Sequence, residues 1–202
     1  MIMKVCGMKY QANIRQLEKV DINWMGIIFH PGSPRYVRHN LTFENKGIKK
    51  IGVFVDGDKT FIERKIQKYD LSGIQFHGHE SPEYCMQFKH NNLVVIKAFA
   101  VDRQFDFAEV KPYTEVVDFF LFDTKASVLG GSGKTFPWRL LEKYDHPTPF
   151  LLSGGIGMQQ LSDLKEFAHP SWAGIDVNSR FEVRPGLKNI REIKKFRHEF
   201  FS

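Results

Sequence analysis

The sequence predicts an α/β fold, a single domain over residues 1–202 built as a closed (β/α)8 TIM barrel. Two observations support this prediction. Eight short apolar segments begin near residues 2, 24, 51, 73, 93, 119, 150 and 174, so that neighbouring starts lie 20 to 31 residues apart. Their near-continuous Val, Ile, Leu and Phe content is typical of strands buried on both faces. An open doubly wound sheet is the alternative, because spacing alone does not exclude it.

In chain order, the eight segments are the predicted strands, and each ends in glycine or polar residues. They are "IMKVCG", "WMGIIF", "KIGVFVDG", "SGIQFHG", "LVVIKAF", "DFFLFDT", "PFLLSGG" and "AGIDVNS". Helical apolar spacing follows the third strand in "FIERKIQKY" and the seventh strand in "MQQLSDLKEF". The linkers after Phe29 and Phe99 are predicted to be mostly loop.

Two further helices are indicated by a start signal and by an apolar face. Ser81-Pro82-Glu83 combines an N-cap with a proline and an acid in the first turn. Near residue 202, an apolar face recurs at helical spacing, formed by Ile190, Ile193, Phe196 and Phe200. Arg191, Lys194, Lys195 and Arg197 lie off this face, which predicts a terminal helix with a solvated basic face rather than a nucleic-acid-binding stripe.

Composition narrows the class of protein further. Hydrophobic residues make up 42% and charged residues 26% of the chain, and the formal net charge is +6. The basic residues are mostly scattered, so we expect neither a nucleic-acid nor a membrane partner. No apolar run approaches the roughly 18 residues needed to span a bilayer, and no signal peptide is evident. Cys6 and Cys85 are too few for a disulfide framework or a zinc site. A cytoplasmic location is therefore expected.

The loop "LGGSGKTFPW", Leu129 to Trp138, is similar to a phosphate-binding P-loop, but the match is partial. A P-loop requires a glycine five residues before Gly133-Lys134, and Val128 occupies that position. A nucleotide hydrolase is therefore the weakest functional interpretation.

Reactive and glycine residues concentrate where the predicted strands end. In a parallel barrel these ends meet at one mouth, where catalytic groups lie. The candidates are Cys6, Arg35, His77, Asp123, Gly154, Gly155, Asp176, Asn178 and Ser179. Any one position has an ordinary structural alternative, such as a buried core cysteine or a helix-capping aspartate, but their joint placement predicts a catalytic mouth.

An ordered set of motifs extends this prediction. "KVCGM", "MGIIFHPGSPRYV", "GVFVDG", "IQFHGHESPEY", "FDT", "LGGSGKTFPW", "LLSGGI" and "GIDVNSRFEVRPGLKN" follow one another from Lys4 to about Asn189. Together they resemble the phosphoribosylanthranilate isomerases of tryptophan biosynthesis. The resemblance implies an Amadori rearrangement of the small molecule N-(5-phosphoribosyl)anthranilate to an enol-form 1-deoxyribulose phosphate. It also implies that no redox cofactor, metal or nucleotide is used.

The resemblance assigns Asp123 as the general acid and Cys6 as the general base. Free carboxyl groups titrate at about 3.9 and free thiols at about 8.5, so both groups would be in the wrong protonation state at neutral pH. Apolar surroundings or the substrate's charge are expected to raise the pKa of Asp123, which follows "FFLF". Nearby cations or amide dipoles are expected to favour the Cys6 thiolate.

The same resemblance assigns substrate contacts. Arg35 would meet the anthranilate carboxylate with its bidentate fork, and His77 would either line the substrate site or serve as a structural histidine. The phosphate would meet backbone N–H groups in the loops after the seventh and eighth strands, which contain Gly154, Gly155, Asp176, Asn178 and Ser179. Gly131, Gly133 and Lys134 would belong to a mobile flap over the substrate.

Two departures from the family pattern and two alternatives stay open. Arg180 stands where relatives commonly have a small residue, and it either adds a cation near the phosphate or points outward. Pro137 precedes the flap tryptophan, Trp138, where the family usually has an acidic or amide residue. The related histidine-pathway isomerase performs the same rearrangement, but uses a carboxylate where this chain has Cys6. The +6 charge leaves a non-catalytic phosphate-ligand binder as the other alternative. The chain is expected to act as a monomer or a homodimer.

Overall fold

The computed structural model describes residues 1–44, 47–89, 93–124 and 138–202. Eight parallel strands form a closed barrel, in which each strand pairs with the next and the last pairs with the first. The strands are β1 (Ile2–Val5), β2 (Trp24–Ile28), β3 (Lys49–Phe54), β4 (Gly73–Phe76), β5 (Val94–Val101), β6 (Phe119–Thr124), β7 (Phe150–Leu152) and β8 (Trp172–Val177). The predicted closed barrel is confirmed, and the open sheet is excluded.

Five α-helices and a short hairpin surround the barrel in the part of the chain that the structure describes. They are α1 (Gln11–Leu17), α2 (Lys59–Tyr69), α3 (Pro82–Met86), α4 (Leu161–Glu166), α5 (Ile190–Phe201), and the strands β9 (Glu182–Arg184) and β10 (Leu187–Lys188). Turns of 3₁₀ helix span Phe107–Tyr113, Trp138–Lys143, Met158–Gln160 and Ser179–Phe181. None of the helices described is long and apolar enough to cross a bilayer.

Side-chain caps fix where three of these helices begin. Asp58 accepts a hydrogen bond from the N–H of Phe61 at the start of α2, and Ser81 accepts one from Tyr84 at the start of α3. Such caps satisfy backbone donors that have no partner within the helix. At α5, Asn189 caps the helix. The predicted apolar face of α5 is confirmed, because Ile193 and Phe196 are buried.

An aromatic cluster covers the outside of β5, β6 and β7. In the described chain, 3₁₀ helices follow β5 and precede β7. The ring of Phe122 lies 5.3 Å from that of Tyr144 and 5.3 Å from that of Phe150. Phe107, in the 3₁₀ helix that follows β5, packs on Phe122 at 5.7 Å. These edge-on and tilted contacts bury a large apolar area, so aromatic side chains cover this side of the barrel.

The barrel interior is apolar at one end and polar at the other. Its floor is formed by Trp24, Ile51, Ile96, Ala98, Leu121 and Leu151. The buried polar residues Lys4, Gln75 and Asp176 lie on the strands β1, β4 and β8. Because all eight strands run in the same direction, the residues at their carboxyl ends meet around one opening.

Candidate active site

A cavity of about 150 Å³ lies at the carboxyl ends of the strands, and we call it the mouth cavity. Eight residues selected from the sequence line it, namely Cys6, His77, Asp123, Gly154, Gly155, Asp176, Asn178 and Ser179. Five other lining residues were not predicted from the sequence, namely Ile28, Val53, Gln75, Ser153 and Ile156. Ile28, Val53 and Gln75 lie within strands, where a rule based on residues beyond the strand ends does not find them.

Cys6 lies directly after β1, where its backbone N–H donates to the carbonyl of Val177 at 2.9 Å. The side chain is 4% exposed and packs with Ile28 and Val53. On the adjacent strand, a Cβ added to Gly26 would lie 2.7 Å from the Cys6 sulfur. Glycine at that position therefore leaves the space that the thiol occupies.

The electrostatic surroundings of Cys6 differ from the expectation. Burial raises the pKa of the thiol, and the Asp176 carboxylate adds to this effect. Lys4 and Lys188 act in the opposite direction, but the net pKa of Cys6 lies above its usual value. The expected cations are present, but burial affects the thiol pKa more than they do. The extent of burial, which sets the cost of removing the thiolate from water, is not visible in the sequence.

A buried ion pair lies beside Cys6. The Lys4 ammonium donates to Asp176 Oδ1 at 3.0 Å, and the two side chains are 0% and 5% exposed. Burial opposes the charge of Lys4, yet attraction to Asp176 and Cys6 outweighs it and raises the pKa of Lys4. The Asp176 carboxylate thus binds Lys4. Lys4 was not predicted as a site residue, although a lysine inside an apolar strand is a signal, since buried lysines are almost always paired.

Asp123 and His77 face each other across another part of the mouth cavity. Asp123, on β6, places Oδ2 3.6 Å from Nε2 of His77. The Gln75 amide lies 2.8 Å from Nδ1 of the same ring. Burial, with the positive charges of Lys4 and Lys97, lowers the pKa of His77 to about 4. His77 is therefore a neutral imidazole near neutral pH, next to the acid that the resemblance implies.

Arg35 is not brought into the lining of the mouth cavity. Its guanidinium binds Glu182 through two nitrogens, with Nε–Oε1 at 2.8 Å and Nη2–Oε2 at 2.6 Å. Glu182 also accepts from the Lys188 ammonium at 2.7 Å. Its burial opposes ionisation, but these bonds lower the pKa of Glu182. The sequence offers no signal for this pairing, because Arg35 and Glu182 are 147 positions apart.

Two loops with small residues form the side of the mouth cavity next to β7 and β8. Gly154 and Gly155 have φ of 88° and 69°, in the left-handed region that favours glycine. Ser179 and Arg180 lie opposite them in the same lining. A Cβ added to Gly157 would lie 3.0 Å from the Cβ of Arg180. Glycine at that position makes room for Arg180, which lines the cavity.

The predicted flap residues Gly131, Gly133 and Lys134 lie outside the described residues, as does Pro137. Their assigned role stays a prediction.

The chain is similar over nearly its whole length to known enzymes. The family model described as N-(5'phosphoribosyl)anthranilate (PRA) isomerase matches residues 3–199. The N-(5'-phosphoribosyl)anthranilate isomerase of Phocaeicola vulgatus is 46% identical, covering 97% of this chain and 96% of the relative. That of Parabacteroides distasonis is 44% identical, covering 97% and 91%. The crystal structure of phosphoribosyl anthranilate isomerase from Thermotoga maritima has a TM-score of 0.83 at 27% identity, covering 100% of this chain and 99% of that one.

Proposed function

The chain belongs to the N-(5'-phosphoribosyl)anthranilate isomerase family, and on that premise we propose that it converts N-(5-phosphoribosyl)anthranilate into 1-(2-carboxyphenylamino)-1-deoxyribulose 5-phosphate in tryptophan biosynthesis. The observation that carries this proposal is the joint lining of one cavity by a thiol, Cys6, and a carboxyl group, Asp123. An aldose–ketose isomerisation requires an acid and a base that reach the same small molecule.

The proposed mechanism consists of two proton transfers. Asp123 donates a proton to the ring oxygen of the ribose, so that the ring opens and a cationic imine forms at the first carbon. The Cys6 thiolate removes the proton from the second carbon, and the electron pair of that C–H bond neutralises the imine to an enolamine. Tautomerisation of the enol gives the ketose, and solvent exchange restores both side chains. No cofactor takes part in these steps.

We propose that the phosphate binds the backbone N–H groups of Gly154, Gly155 and Ser179, with Arg180 supplying a positive charge. The left-handed glycines allow the backbone to approach an anion closely. Arg35 lies outside the lining of this cavity, so the aromatic part of the substrate, whose carboxylate Arg35 is proposed to meet, extends beyond it.

Arg35 is proposed to meet the anthranilate carboxylate through the end of its guanidinium. Its Nε and Nη2 each donate to Glu182, whereas Nη1 makes no hydrogen bond to any described residue. A guanidinium has five N–H donors, so the two on Nη1 and the second one on Nη2 remain for a ligand. The bidentate pairing expected from the sequence therefore stays the proposal.

The cytoplasm is the proposed location, since the two cysteines of the chain are free thiols and the proposed base has to remain reduced.

The direct test is a fluorescence assay of the purified chain with N-(5-phosphoribosyl)anthranilate. We expect substrate fluorescence to decay at a rate proportional to enzyme concentration and above that of a sample without enzyme. The aminoaldose substrate of the histidine pathway serves as the comparison. Folded native protein that consumes only that comparison substrate, or neither, would refute the proposal.

Replacement of Arg180 with alanine is expected to raise KM by about 3- to 10-fold and to leave kcat nearly unchanged, because an exposed charge adds a modest, uniform contribution to phosphate binding. Arg184→Ala is the matched control, since it removes the same charge from β9, where Arg184 lies over the Tyr10 ring at 5.1 Å. Equal KM values for the two variants would contradict a phosphate contact by Arg180.

A further inference from the structure

The Cys6 thiol lies at the edge of a cluster of charged side chains. The cluster consists of Lys4 on β1, Arg35 after β2, Asp176 on β8, Glu182 on β9 and Lys188 on β10. Lys4 binds Asp176, while Arg35 and Lys188 share Glu182. From β2 and β3, Cys6 packs with the apolar side chains of Ile28 and Val53 and lies beside Gly26. In their ordinary ionised forms, the described members of the cluster are three cations and two anions, and a thiolate would balance them.

Lys4 holds the best position in this cluster to act on Cys6. The two residues are two positions apart on one strand, so their side chains point to the same face, toward the barrel interior. The ammonium hydrogen-bonds Asp176, and its charge lowers the pKa of the Cys6 thiol. The backbone register Lys4↔Asp176 sets the carboxylate beside the ammonium. A buried lysine without such a partner would tend to lose its proton, so Asp176 keeps the charge in place.

We propose that Lys4, held by Asp176, is the positioning residue that directs a buried positive charge at the Cys6 sulfur and stabilises its thiolate. This inference rests on the proposed function, in which that thiolate is the base. Asp176 acts in two ways, because it retains the Lys4 charge and its own negative charge opposes the thiolate. These two effects of Asp176 on Cys6 oppose each other, so the decisive substitutions are those of Lys4.

The experiment is a pH titration of the protein labelled with carbon-13 at cysteine Cβ, whose chemical shift follows thiol ionisation. Cys85→Ala assigns the two signals, and the pKa of Cys85 is about 12. Lys4→Met is expected to move the Cys6 titration to higher pH by about 1–3 units. Lys4→Arg, which keeps the charge, is expected to stay close to the native titration.

A second buried pair provides the matched control. Lys97 binds Glu80 at 3.0 Å, with the two side chains 3% and 2% exposed, and it is not among the groups that shift Cys6. Lys97→Met should therefore cost comparable stability, measured by urea unfolding, and move the Cys6 titration by less than about 0.3 unit. If Lys4→Met does not fold, Lys4→Gln, whose amide can still hydrogen-bond the Asp176 carboxylate, replaces it. An unchanged Cys6 titration in the folded, uncharged Lys4 variant would overturn the inference.

Turnover separates this inference from the proposed function. In folded Lys4→Met, kcat/KM at neutral pH is expected to fall about tenfold for each unit of thiol shift, and to recover as pH rises. If the Lys4 variants shift the thiol titration as expected but the native chain shows no turnover, the proposed function is refuted and the role of the Lys4 charge stands. Native turnover combined with an unmoved thiol titration would refute the role of Lys4 alone.

Discussion

Replacing Asp123 with asparagine is expected to lower kcat/KM by about 10²- to 10⁴-fold, the usual contribution of a general acid. The amide has nearly the shape of the carboxyl group, so the packing against His77, 3.6 Å away, is retained. It cannot give a proton to the ribose ring oxygen, and ring opening loses its acid. The measurement is the fluorescence assay at neutral pH, with circular dichroism to establish that the variant is folded.

Asp118→Asn is the matched control for Asp123→Asn. Asp118 directly precedes β6 at the opposite end of the barrel, where its carboxylate accepts from the N–H of Val95 at 2.8 Å. An asparagine oxygen can accept the same bond, so we expect this variant to retain activity within about twofold, as surface substitutions usually do. A folded Asp123→Asn protein with the same activity as Asp118→Asn would remove Asp123 from the mechanism.

Replacing Cys6 with alanine is expected to reduce kcat/KM by a similar factor, about 10²- to 10⁴-fold, because the base at the second carbon is lost. The small void would open onto the mouth cavity, which Cys6 lines, so the loss of stability should be slight. The fluorescence assay again provides the measurement, and chemical unfolding reports the change in stability.

Cys85→Ala tests whether such a loss is specific to Cys6. Cys85 is fully buried in α3 and its pKa is about 12, so it serves as a packing residue. We expect its replacement to cost stability of about 1 kcal/mol while the folded enzyme keeps its kcat/KM. Full turnover by folded Cys6→Ala would rule out the thiol as the base.

The strands were predictable because each is a short apolar run with a clear end. All eight predicted segments coincide with β1 to β8. The outer layer was harder to predict, since the chain after β5 forms a 3₁₀ helix over Phe107–Tyr113, where mostly loop was expected. Phe107 packs on Phe122 of β6, and Tyr113 packs on Phe99 of β5, contacts that helical periodicity does not encode.

The candidate site was predictable wherever position along a strand determines position in space. Cys6, His77 and Asp123 follow or end their strands, and all three line the mouth cavity. Pairings between distant charges were not predictable, so Glu182 as the partner of Arg35 emerged only from the fold. The sign of the Cys6 pKa shift was also missed, because it depends on how completely the thiol is buried.

The pairing of β1 with β8 has a consequence for the order in which activity is gained. A ribosome releases Cys6 and Lys4 long before Asp176, which lies 172 positions after Lys4. Contacts between such distant segments form slowly, because much of the chain has to be ordered first. During refolding from denaturant, turnover should therefore recover with the pairing of β1 and β8, and later than the gain of secondary structure.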